Sequence, residues 1–143
     1  MTDPTYYHGG VPGLRPGELL VPSEPNFIDD CPICRAKKAG INTGIDPLTV
    51  HPDRIYITTD REYARFYASK YWRGDLYKVE PVGELQPSAE DYFPTWTVAS
   101  ARVIHAYARC VTLTDTQRRA LLRRWPSEPP PWLLETRERQ APA

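Results

Sequence analysis

The hydrophobic pattern changes period along the chain, and the changes mark its elements. Residues 5–8 form a short apolar run stopped by Gly9-Gly10, which predicts a first strand. Residues 13–17 (Gly-Leu-Arg-Pro-Gly) are turn chemistry, and residues 18–21 predict a short apolar arm. Residues 54–58 (Arg-Ile-Tyr-Ile-Thr) predict a strand. Thr59-Asp60-Arg61-Glu62 then has the form of a capping box, with the Thr59 hydroxyl expected to accept from the Glu62 backbone N–H. The helix it opens is expected to run to about Tyr71, with Tyr63, Phe66, Tyr67 and Tyr71 as its apolar stripe. Residues 76–80 predict the next strand, closed by Pro81, which cannot donate to a ladder. An acidic, proline-containing loop follows over 83–94, and residues 101–111 predict a last long strand. Thr114-Asp115-Thr116-Gln117 is a second capping box, opening a basic helix to Trp125. Residues 22–53 have little periodicity and are expected to be an ordered loop or insertion. Residues 126–143, with Pro129-Pro130-Pro131, are expected to be a loosely attached Pro-rich tail.

Length and composition narrow this picture. The chain of 143 residues suits one domain, here residues 1–125, with one modest core. Eighteen basic residues balance eighteen acidic ones, so nothing argues for a large non-specific grip on nucleic acid or an anionic membrane. No stretch approaches a membrane span and the first residues do not read as a signal peptide, so a cytoplasmic protein is expected. Three cysteines make no disulfide framework.

The candidate chemistry lies in the order of three aromatic and imidazole positions. Tyr6-Tyr7-His8-Gly9-Gly10 delivers a histidine onto a glycine pair, which permits close backbone approach. Ile55-Tyr56-Ile57-Thr58-Thr59-Asp60 then delivers a tyrosine from a strand into a helix carrying Tyr67, 11 residues on. Taken singly, each tyrosine is more often a core residue and His8 more often a polar residue at a strand end. The ordered set carries more information than its parts.

That set resembles the NAD pocket of ADP-ribosyltransferases of the His-Tyr-Glu type. Tyr6 to Gly10 resembles the histidine strand of the diphtheria-toxin-like and poly(ADP-ribose) polymerase-like enzymes, and Tyr56 with Tyr67 resembles the tyrosine pair that sandwiches nicotinamide in the diphtheria-toxin group. Overall the chain resembles the small bacterial rifamycin ADP-ribosyltransferase family. The resemblance runs through Tyr7-His8-Gly9, residues 17–22, Asn26-Phe27, residues 55–58, Leu76 to Pro81 with Gly83, and Pro94-Thr95 leading into Val103-Ile104. It implies an α+β fold: a single domain whose split antiparallel sheet, with a few short helices, frames an NAD cleft. The implied function is mono-ADP-ribosyl transfer, a glycosyltransferase reaction in which NAD is cleaved at the nicotinamide–ribose bond and ADP-ribose passes to an acceptor. His8 would bind the ribose, Gly9 would act through its backbone, Tyr56 and Tyr67 would flank the nicotinamide, and Thr58 would lie beside them.

The chain departs from the family at two places. Where the rifamycin enzymes have an acidic residue shortly after the Glu-Pro-x-Gly turn, the matching residues 86–88 carry no charge, and the corresponding toxin-like position at 95–98 is also uncharged. Glu90 is the favoured catalytic carboxylate, with Asp91 and Glu84 as alternatives. The family also tends to have Trp at the position of Tyr67. The insertion at 22–53 is longer than in the small rifamycin enzymes and basic after Cys34, so the acceptor is left open between protein, nucleic acid and small molecule.

Cys31-Pro32-Ile33-Cys34 supplies two thiolates, and His51 follows 17 residues after Cys34. A structural zinc site needs four ligands, so ordinary loop cysteines are the preferred reading and no metal is assigned. Cys110, at the end of an apolar strand, is expected to be buried. Two competing functions remain: a non-enzymatic zinc-knuckle module gripping nucleic acid or protein through residues 35–38 and 118–124, and an NAD glycohydrolase.

Overall fold

The structure, a computed structural model, describes residues 3–22, 51–70 and 73–141. In chain order its elements are β1 (Tyr6–Gly10), β2 (Leu19–Leu20), β3 (Ile55–Thr58), α1 (Arg61–Lys70), β4 (Asp75–Val82), β5 (Gln86–Pro87), β6 (Thr95–Val98), β7 (Ser100–Ala108), α2 (Asp115–Arg124) and α3 (Pro131–Gln140). The fold is α+β. All seven strands join one antiparallel sheet in the order β2-β7-β4-β1-β3-β6-β5.

Strand alternation sorts the side chains into two layers. On one face Leu20, Ile55, Ile57, Tyr77, Val79, Val98, Ala101 and Val103 form the main core, with Tyr6 and Trp96 packed against it. On the other face Tyr7, Leu76 and Ala108 meet Ala64 and Ala68 of α1. The approach of helix to sheet is set by Gly9. A Cβ there would lie 2.0 Å from the Ala64 carbonyl oxygen and 2.6 Å from the Ala68 nitrogen. The close contact that Gly9 permits is therefore with helix backbone.

Tyr77 is fully buried, and its hydroxyl donates to the Val11 carbonyl (2.6 Å) and accepts from the Leu14 N–H (3.1 Å). Asp75, 2% exposed, completes this corner. Its carboxylate accepts from the backbone N–H groups of Gly13 (2.9 Å) and Cys110 (2.8 Å) and from the Arg109 guanidinium (2.6 Å). Burial alone would raise the Asp75 pKa, but these donors together hold it below the usual carboxylate value.

Several expectations change. β1 continues through Gly9 and Gly10, because both pair with β4. β4 continues through Pro81, which lies opposite Ala101, and turns at Gly83 with φ of 111°. The cap of α1 is Asp60 rather than Thr59: Asp60 Oδ1 accepts from the Tyr63 N–H at 3.0 Å, while the Glu62 carboxylate pairs with Arg61 and Arg65. The second capping box forms as expected, with Thr114 Oγ1 accepting from Gln117 N–H (3.1 Å) and Gln117 Oε1 accepting from Thr114 N–H (3.0 Å). The C-terminal segment contains α3, with Pro131 as its first residue, and Leu133 is fully buried. It is not loosely attached, since that buried leucine tethers it. Cys110 is exposed, because β7 ends at Ala108 and the chain turns there with a Cys110 φ of 50°. Asn26, Phe27, Cys31, Cys34, Tyr71 and residues 35–38 lie outside the described residues, as does most of the 22–53 insertion.

Candidate functional site

The site begins where β1 and β3 part. The two strands share one register pair, Tyr7 opposite Thr58, whereas β1 pairs with β4 along its whole length. Beyond that pair the His8 side chain bridges the strands: Nδ1 lies 2.8 Å from the Tyr56 carbonyl oxygen. A carbonyl only accepts, so Nδ1 carries the proton and Nε2 of the neutral ring is an acceptor. Burial lowers the His8 pKa, and the carbonyl bond partly opposes that, so the neutral form is favoured. The residue as a whole is partly exposed. Nε2 lies against Gly10, where a Cβ would stand 2.7 Å from it.

Tyr56 projects to the opposite face. Ile55 and Ile57 enter the main core, so Tyr56 and Thr58 point to the side where α1 carries Tyr67. The Tyr56 hydroxyl donates to Glu90 Oε2 and accepts from the His51 backbone N–H at 3.1 Å. Burial raises its pKa first, and the Glu90 carboxylate adds to this, so the phenol stays protonated.

A second carboxylate stands beside the first. The Tyr63 hydroxyl donates to Asp91 Oδ1 and lies 3.0 Å from the Tyr67 hydroxyl, and the Tyr63 and Tyr67 rings meet edge to face at 5.0 Å. Ser88 ties the two acids together. Its hydroxyl donates to Asp91 Oδ2 (2.6 Å) and accepts from the Glu90 N–H (3.2 Å). Asp91 is buried, which pushes its pKa up, and the neighbouring Glu90 charge pushes the same way. Burial likewise pushes the Tyr63 phenol up.

The loop bearing both acids is clamped from three directions. Thr58 Oγ1 donates to the Pro94 carbonyl (2.6 Å). Arg137 Nε donates to the Ala89 carbonyl (2.9 Å), and Gln140 Nε2 to the Pro87 carbonyl (2.7 Å), both from α3. Ser88 N–H donates to the Thr95 carbonyl (2.9 Å). Phe93 of the same loop packs with Tyr63, Leu121 and Trp125.

The structure thus brings Tyr56, Glu90, Asp91, Tyr63 and Tyr67 into one region, with His8 joined through the main chain of Tyr56. Thr58 is buried, and its hydroxyl serves the loop, also accepting from the Asp60 N–H at 3.1 Å. Glu84 is exposed, and its backbone carbonyl accepts from Arg54 (3.0 Å). Sequence reasoning missed Ser88 and Tyr63 as working parts. The Ser-x-Glu-Asp spacing was the available signal for Ser88, and the four-residue step between Tyr63 and Tyr67 was the signal for their paired hydroxyls.

Arg124, one of the basic residues of α2, is used internally: it pairs with Asp60, the α1 cap, and lies 5.4 Å over the Phe93 ring. Among the described residues no cluster of three His, Cys, Asp or Glu side chains is placed to hold a metal ion, and no helix is long and apolar enough to cross a membrane. In comparisons with known proteins, no family model matches the chain and no curated protein matches it.

Proposed function

We propose that this protein is a mono-ADP-ribosyltransferase that uses NAD as donor. The observation that carries the reading is the connected set of histidine, tyrosine and glutamate at the parting of β1 and β3: His8 Nδ1 on the Tyr56 carbonyl, and the Tyr56 hydroxyl on Glu90. It is supported by the neutral His8 ring, whose Nδ1–H is fixed on the Tyr56 carbonyl and whose Nε2 is left as an acceptor.

Cleaving a nicotinamide–ribose bond develops positive charge on the ribose, so the enzyme needs fixed hydroxyls, a held ring and nearby negative charge. His8, neutral with Nε2 as acceptor, would take a hydrogen bond from a ribose hydroxyl. Tyr56 and Tyr67 would bound the flat ring on the α1 side of the sheet. Glu90 would face the developing cation, oriented by the Tyr56 hydroxyl and by Ser88. Nicotinamide leaves with the electron pair of the broken C–N bond. The acceptor's lone pair forms the new bond to the anomeric carbon, and its proton passes to Glu90.

The test is nicotinamide release from NAD, followed with labelled ADP-ribose in a cell lysate. Wild-type protein is expected to release nicotinamide and place label in an acceptor, and Glu90→Gln to lower kcat about a thousandfold. Free ADP-ribose as the sole labelled product would instead establish a glycohydrolase. Retained activity in both His8→Ala and Glu90→Gln would overturn the site assignment.

A further inference from the structure

We propose that the outer face of β7, beside Arg61 of α1, is a stacking platform for single-stranded nucleic acid. The argument starts from two irregularities in the β4–β7 ladder. Val79 pairs with Val103 and Lys78 with His105, so Ile104 is an extra residue; Tyr77 pairs with Ala106 and Leu76 with Ala108, so Tyr107 is another. Strict alternation from buried Val103 would have turned His105 and Tyr107 into the core. The two bulges reverse that. Val103 and Ala106 stay with the core, while Ile104, His105 and Tyr107 all reach solvent. Bulges re-aim side chains in this way at working surfaces.

The re-aimed residues have one chemistry. The His105 and Tyr107 rings lie 27° from parallel with centroids 6.2 Å apart, and Tyr107 is 42% exposed. Tyr7 backs Tyr107 edge-on at 6.0 Å, and the Arg61 guanidinium sits 5.0 Å over its ring. Lys78 stands opposite His105 in the ladder. Exposed aromatic faces on a sheet accept unpaired bases of any sequence, and adjacent cations accept the phosphates between them. Glu62 and the Tyr107 hydroxyl both engage Arg61, and Glu80 stands opposite Arg102 on the same sheet, so the positive charge is small and stacking dominates. A duplex, whose base faces are hidden, does not fit such a surface, and an acidic peptide has no use for the rings.

The test needs no NAD and is independent of the proposed transferase activity. Fluorescein-labelled 12-mers of oligo(dT) and oligo(U), and the oligo(dT)·oligo(dA) duplex, would be titrated with the full chain by anisotropy. Either single strand is expected to bind more tightly than the duplex, and the tighter of the two identifies DNA or RNA. About two phosphate contacts predict a slope of about −1.4 in log K against log salt. Tyr107→Ala and His105→Ala are each expected to weaken binding about tenfold, with Tyr107→Phe retaining it. His105 is exposed, so its variant carries the test if Tyr107→Ala fails to fold. Equal binding of the duplex, no binding of either single strand, or unchanged binding in folded His105→Ala would overturn the proposal.

Discussion

Substitutions at the two adjacent glycines of β1 should separate fold from site. Gly9→Ala places a Cβ 2.0 Å from the Ala64 carbonyl oxygen and 2.6 Å from the Ala68 nitrogen, and both neighbours are helix backbone that no rotamer change can move. To restore van der Waals distance α1 must retreat by about 1 Å, opening contacts around buried Ala64, Ala68 and Leu76. Overpacking against a rigid neighbour costs about 3 kcal/mol, which corresponds to a fall in Tm of about 10 °C for a domain of this size. Gly10→Ala meets His8 Nε2 at 2.7 Å, the far end of a side chain that can swing away. Its cost is the lost His8–Tyr56 hydrogen bond, about 1 kcal/mol, while any activity that depends on His8 should fall as far as in His8→Ala. Urea and thermal unfolding followed by circular dichroism measure the first effect, and NAD turnover measures the second. A Gly9→Ala protein with wild-type Tm, or a Gly10→Ala protein as destabilised as Gly9→Ala, would refute the reasoning.

Three further outcomes are expected. Asp75→Asn should cost about 2 kcal/mol near neutrality. Because the folded pKa of Asp75 is depressed, this stabilisation is present above the unfolded value, about 3.9, and is lost as pH falls through the folded pKa, so the wild-type and variant unfolding curves should converge in acid. Leu133→Ala removes a fully buried side chain of α3 and should cost about 3 kcal/mol in urea unfolding, whereas a loosely attached tail would show no change. Tyr56→Phe keeps the ring but removes the hydroxyl that links Glu90 and the His51 N–H, and should lower kcat about a hundredfold with little change in KM; an unchanged kcat would mean that the link does not orient Glu90.

The sequence by itself determined what short-range chemistry controls. The Thr114–Gln117 capping box closes within four residues, and the 55–58 strand reads from its own alternation, so both were legible. His8, Tyr56 and Tyr67 were singled out by their order along the chain and by the resemblance that order carries, since each taken singly reads as an ordinary strand or core residue. Where one carboxylate had to be chosen among Glu84, Glu90 and Asp91, the sequence offered only proximity along the chain. Tertiary structure separated them, placing Glu90 against Tyr56, 34 residues away, and Asp91 against Tyr63, 28 away, while Glu84 stayed in solvent. The burial of Leu133 and the exposure of Cys110 were equally non-local, since one depends on what α3 packs against and the other on Asp75 capturing a turn. The bulges of β7 have the same origin. Which residues of a strand face water is fixed by alternation only while the ladder stays in register, and register is a property of two strands rather than of either sequence alone.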